Sequence, residues 1–167
     1  METITTEQLV AMRVATIIDK DDDRRRVCDL ALAGDGAAVA ECARIADAMK
    51  LEIAGMRASI EAAYSECGVA RMSASEACDL ARANGVVTWM YWQMEYNAVG
   101  VRAWAACALG QASERLDRAE ARLDLTDHDR SLVLAWVADA RAKMAQAQDM
   151  DERKVKLLSV PPGLGAA

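Results

Sequence analysis

Eight small or apolar residues between positions 37 and 67 recur at alternating steps of four and three: Cys42, Ala46, Met49, Ile53, Met56, Ile60, Ala63 and Cys67. A step that averages three and a half keeps one narrow stripe on one side of a helix, and that stripe needs a second helix to cover it. The period of a strand would scatter the same residues over both faces. Glu41, Arg44, Lys50, Glu52, Arg57 and Glu61 fill the other positions. The small members of the stripe allow close approach of helix axes. Gly68 follows as the C-terminal stop.

The pattern returns twice. Leu109, Ala112, Leu116, Ala119 and Leu123 form one stripe, and Val133, Val137, Ala140, Met144 and Ala147 another. A short link at Leu125 predicts that these two helices pair as an antiparallel hairpin. Leu132 and Trp136 lie off the stripe, so the last helix should bury a second face. Between the stripes, Glu114, Arg115, Asp117, Arg118, Glu120 and Arg122 read as a solvent-facing charge lattice.

Three capping boxes mark helix starts: Thr5 with Gln8, Ser73 with Glu76, and Thr126 with Asp129. The first opens a helix over 5–18, with Val10, Val14, Ile17 and Ile18 as its buried stripe. A second helix over 22–33 buries Val27, Leu30 and Ala31, and Gly34-Asp35-Gly36 ends it. The helix from 73 can run to 124, with a kink or break at Asn84-Gly85. The last helix covers 127–153.

Inside the long helix sits the most apolar stretch, 86–109. It holds Trp89, Trp92 and Trp104 of the four tryptophans, and Tyr91 and Tyr96 of the three tyrosines. A helix apolar on most sides is central in its own bundle or sits in an interface. A ligand box around Trp89, Trp92 and Tyr96, and a membrane contact, are the minor readings. Gln93, Glu95, Asn97 and Arg102 interrupt any apolar span of about 20 residues.

Composition agrees with an all-α chain: no Phe, two prolines near the C-terminus and little glycine. The net charge of −6 argues against general nucleic-acid binding. Cys28, Cys42, Cys67, Cys78 and Cys107 form no C-x-x-C pair, so they read as small buried thiols in a reducing, cytoplasmic setting. The N-terminus lacks the pattern of a secretory signal.

No sharper chemistry emerges. The run Asp19-Lys20-Asp21-Asp22-Asp23-Arg24-Arg25-Arg26 reads as a solvated helix start with Asp21–Arg25 and Asp22–Arg26 pairs, not as a metal site. His128, the sole histidine, lies in a first turn beside aspartates. Cofactor and metal motifs are lacking. From Lys154 the chain reads as an extended arm in which Leu157, Leu158 and Val160 precede Pro161-Pro162.

The expectation is one all-helical domain over 1–153 plus an arm over 154–167. Its long antiparallel helices, patterned in heptads, form hairpins or an elongated four- to five-helix bundle. The expected role is a non-enzymatic structural or assembly protein, needing no cofactor, that binds copies of itself or other proteins. Trp89, Trp92, Tyr96, Trp104, Leu157, Leu158 and Val160 are its candidate interface residues. In composition and helix style the chain resembles the small helical virion proteins of tailed phages, which implies connector, internal core or ejection roles assembled inside a cell. The alternative is a monomeric regulatory or inhibitor module that binds a protein through an acidic face.

Overall fold

Each predicted helix start is held by a side chain. In the computed structural model, which describes residues 4–69, 71–83 and 94–158 (backbone only for 94–97 and 154–158), Thr5 and Gln8 cap each other's backbone N–H groups at 3.2 and 2.9 Å. Ser73 and Glu76 do the same, as do Thr126 and Asp129. Among the described residues there are six helices and no strands: α1 (Thr6–Asp19), α2 (Asp22–Leu32), α3 (Gly36–Cys67), α4 (Ala74–Ala83), α5 (Met94–Arg122) and α6 (Asp127–Leu158). The chain is all-α. Its contacts gather into two compact units, Met1–Ser59 with Ser113–Val133 and Ile60–Ala112 with Leu134–Ala167.

In the first unit α1 buries Leu9, Met12, Ala15 and Thr16. The stripe expected to be buried is turned out: Val10, Val14, Ile17 and Ile18 are 46%, 50%, 50% and 71% exposed. Both sets recur at helical spacing, so periodicity alone could not choose between them. The inward face tolerates Thr16 because its hydroxyl donates to the Arg13 carbonyl at 2.7 Å. On α2 the buried residues are Cys28 and Ala31, while Leu30 is 46% exposed and Val27 half-buried. Lys20 closes α1 with a left-handed backbone at φ 57°, and Asp21 caps α2 by accepting from the Arg24 N–H at 3.0 Å. The expected i,i+4 pairs give way to an i,i+3 pair, Asp22–Arg25.

Ion pairs bind the helices of this unit together. Arg13 of α1 meets Asp29 of α2. Arg57 of α3 bridges Asp117 and Glu120 of α5, each at 2.7 Å. Arg130 of α6 grips Glu52 of α3 through two nitrogens, at 2.6 and 2.9 Å. The charged lattice on α5 is therefore partly a contact surface, not only a solvated face. These pairs are mostly half-exposed, so each adds little stability but fixes register.

In the second unit the long helix is not continuous. Cys78 of α4 and Cys107 of α5 form a disulfide with Cα atoms 5.6 Å apart. A continuous helix would hold them roughly 43 Å apart. An unbroken helix over 73–124 is thereby excluded, and so is the reading of all five cysteines as free thiols. Asn84-Gly85 lies outside the described residues. Helix α4 packs on α5 through Ala77, Ala106 and Cys107, with Val69, Met72 and Cys78 around them. Contact is closest at Gly110: a Cβ there would lie 2.8 Å from the Ala74 nitrogen and 3.0 Å from its Cα. Arg102 of α5 pairs with Asp151 of α6, and Arg141 of α6 pairs with Glu66 of α3 at 2.8 Å.

Of the eight residues in the α3 stripe, seven are buried and Met56 is half-buried. All five of the α5 stripe and all five of the α6 stripe are buried. Helix α6 runs five residues past its expected end, so residues 154–158 are helical and not an extended arm. Nothing in Lys154-Val155-Lys156-Leu157-Leu158 breaks a helix before the restriction imposed by Pro161. Residues 159–167 lie outside the described residues.

Two outcomes check the α4–α5 contact. Gly110→Ala normally gains about 1 kcal/mol of helix propensity. Here the new methyl meets backbone, so the variant should be destabilised by about 1–3 kcal/mol in urea unfolding. Reducing Cys78–Cys107, which spans 29 residues, should lower stability by about 3.5 kcal/mol through loop entropy, read as the same unfolding with and without dithiothreitol.

Candidate functional site

The polar centre of the first unit forms where α5 ends and α6 begins. Asp129, the third residue of α6, has no exposure to solvent. Its carboxylate accepts from the Thr126 N–H at 3.0 Å and the Thr126 hydroxyl at 2.8 Å. Arg115 and Arg122, two turns apart on α5, donate to it as well, Arg122 at 3.2 Å. Burial pushes this carboxyl up, but the Thr126 and Arg115 hydrogen bonds outweigh burial and hold it below the ordinary aspartate range.

One turn earlier, Leu123 ends α5 in the left-handed region at φ 51°, and the Asp124 N–H donates to the Ala119 carbonyl. Asp124 is 3% exposed and pairs with Arg24 of α2 at 3.2 Å. Arg24 also donates to the Leu123 carbonyl at 3.4 Å, while its Nε is buried and has no partner. Asp19, the last residue of α1, lines the same cleft as Asp124. Burial, then the charge of Asp124, push the Asp19 carboxyl up, and Arg24 only partly offsets them.

These groups line a cleft of about 610 Å³, with Ala15, Ile18 and Leu125 as apolar wall and His128 on its lining. Arginines 24, 115, 122 and 130 there face aspartates 19, 21, 124, 127 and 129. Opposite charges are engaged with one another rather than converging on an empty point. The arrangement ties the start of α2 to the α5–α6 turn. Among the described residues no three His, Cys, Asp or Glu side chains are placed to hold a metal ion.

The residues singled out by sequence as an interface are not gathered here. Trp89, Trp92 and Val160 lie outside the described residues, as do the side chains of Tyr96, Leu157 and Leu158. Trp104 stands on α5 in the second unit, 37% exposed. Around it Ala98, Val101, Ala103, Ala105, Ala106, Cys107, Ala108 and Leu109 are buried, so this part of the aromatic stretch is central in its own unit. Cys28 and Cys42 are buried with sulfurs 4.0 Å apart, and burial, then the Cys28 neighbour, pushes the Cys42 thiol up to about 11. Among the described residues no helix is long and apolar enough to cross a membrane.

Sequence reasoning found the Thr126–Asp129 box but not the arginines that complete it. The available signal was the seven-residue spacing of Arg115 and Arg122, which sets both on one face of α5.

The two shifted carboxyls act in opposite directions. Asp129, lowered on folding, contributes stability above its unfolded pKa that is lost as pH falls through its folded value. Asp19, raised on folding, contributes stability below its unfolded pKa that is lost as pH rises through its folded value. Asp19→Asn should therefore raise the melting temperature at the alkaline end of the range, because it removes a carboxylate that burial and the neighbouring Asp124 disfavour. That gain should shrink toward zero as pH falls to the ordinary aspartate range, as thermal melts across pH 3–8 would register.

No protein-family model matches the chain, and neither a curated protein nor a solved structure matches it.

Proposed function

We propose that this chain is a non-enzymatic structural or assembly protein that associates with copies of itself or with other proteins of a larger assembly, such as a virion. One observation supports this reading above others: α1 exposes four β-branched apolar side chains, Val10, Val14, Ile17 and Ile18. They fall within an arc of about 100° on the helix, the width of a buried face. Monomeric proteins scatter exposed apolar residues singly, and a contiguous stripe marks a contact surface. Trp104 and Val99, 37% and 39% exposed on α5, are further candidates for contact. The heptad-like stripes of α3, α5 and α6 supply the rigid helices that such a part requires.

The test is the mass of the purified full chain by sedimentation, across a wide concentration range. A mass that is a multiple of the chain's, or a co-purifying protein in fixed ratio, is expected. A clean monomer at every concentration with nothing bound would overturn the proposal and favour the regulatory module.

A further inference from the structure

Two buried sulfurs meet between α2 and α3 in the first unit. Cys28 lies on the inward side of α2 with Ala31, and Cys42 is the first member of the α3 stripe. Neither side chain is exposed to solvent, and the Cys42 Sγ–H donates to the Cys28 Sγ at 4.0 Å. Other buried positions on these helices, such as Ala31, Ala38 and Ala46, are filled by alanine. Two thiols in contact have a property that two alanines lack: they can be joined. A disulfide holds its sulfurs about 2.05 Å apart, so the gap of 4.0 Å must close by about 2 Å, shared between the two side chains. Cys67, the third described free cysteine, is buried as well, with Glu66 and Arg141 as the charged groups beside it.

We propose that Cys28 and Cys42 are a redox pair, which a small-molecule disulfide such as glutathione disulfide oxidises to a bond tying α2 to α3. The second unit already holds one such bond, Cys78–Cys107. Cys28 is the first nucleophile. Burial pushes its thiol up, but the hydrogen bond from Cys42 and the charge of Arg24, one turn back on α2, act the other way. At Cys42 burial, then the Cys28 neighbour, push the thiol up. The Cys28 thiolate, its proton given to water, attacks one sulfur of glutathione disulfide. A Cys28–glutathione bond forms, the glutathione S–S bond breaks, and one glutathione thiolate leaves. Cys42, deprotonated in turn, attacks the Cys28 sulfur and expels the second glutathione thiolate. The two protons end on the two leaving thiolates, so two cysteines are oxidised and one glutathione disulfide is reduced to two thiols. Neither cysteine is exposed, so the first step waits on local opening of α2. The bond, once made, restrains that opening. It clamps α2 to α3 across 14 residues, while Arg24 of α2 holds Asp124 and the Leu123 carbonyl.

Peptide mapping of the full chain, with Cys78–Cys107 intact, tests the pair. The folded protein is incubated with glutathione disulfide, alkylated in denaturant, digested without reduction and read by mass. Linked Cys28 and Cys42 peptides are expected, with Cys67 recovered as an alkylated thiol. The urea midpoint should rise on oxidation, because closing a loop of about 15 residues makes unfolding roughly a hundredfold less favourable. The same treatment of Cys28→Ala should leave its midpoint unchanged. Cys42→Ala should trap glutathione on Cys28, while Cys28→Ala leaves Cys42 largely unmodified, and the reverse would overturn the order of attack. Recovery of Cys28 and Cys42 as separate alkylated thiols, even after incubation in urea just below the midpoint to admit the oxidant, would overturn the proposal. So would a lasting glutathione adduct on either cysteine of the wild type, or Cys42 linked to Cys67. A linked pair that lowers the midpoint would mean that the bond distorts the α2–α3 contact and would overturn the clamp as well.

Discussion

One carboxylate with no solvent exposure organises the turn between α5 and α6. A lone buried charge would be very costly, and Asp129 exists there only because four donors from Thr126, Arg115 and Arg122 converge on it. Each donor adds a constraint. Thr126 fixes where α6 begins, and Arg115 and Arg122 fix the rotation of α5 about its axis. Arg24 then reaches the adjoining turn through Asp124 and the Leu123 carbonyl, which locates the start of α2. A helical unit rich in alanine has few large side chains to specify register. Here polar bonds at a helix junction supply that specificity.

The second unit meets the same scarcity of large side chains differently. Alanine against glycine lets α4 and α5 approach until backbone touches the place of a missing Cβ at Gly110. Close approach multiplies weak dispersion contacts, but an alanine contributes much less apolar area than a leucine. The Cys78–Cys107 bond compensates on the other side of the equilibrium, because it restricts the unfolded chain. Within α5, buried residues follow one another from Ala105 to Leu109 with no outward position among them. That is what a helix with neighbours on every side requires, and it accounts for the lack of periodicity there.

Most of the secondary structure was legible, because it depends on local chemistry. Caps such as Ser73 with Glu76 need only their own backbone, and a stripe such as that of α6 needs only periodicity. What was not legible depends on a choice between equivalent partners. On α1 both Leu9-Met12-Thr16 and Val10-Val14-Ile17 have helical spacing, and contact with the rest of the unit alone decides which turns inward. The link between Asp129 and the two arginines joins separate helices, and no local rule pairs them. The α4–α5 disulfide is likewise invisible to spacing, since it requires the chain to reverse between residues that a continuous helix would keep far apart.

That unresolved choice on α1 leaves a physical residue. Fully burying a valine or isoleucine is worth about 1.5–3 kcal/mol, so four such side chains left about half exposed hold back several kcal/mol from folding of the single chain. Polar residues at those positions would give up only the part already buried in the isolated molecule and would gain solubility. β-Branched residues are also slightly poorer helix formers than the straight-chain polar residues that suit a solvated face. The exposed stripe is thus unfavourable on two counts within one chain. The first count is relieved once another helix covers the stripe, as it would be on a contact surface.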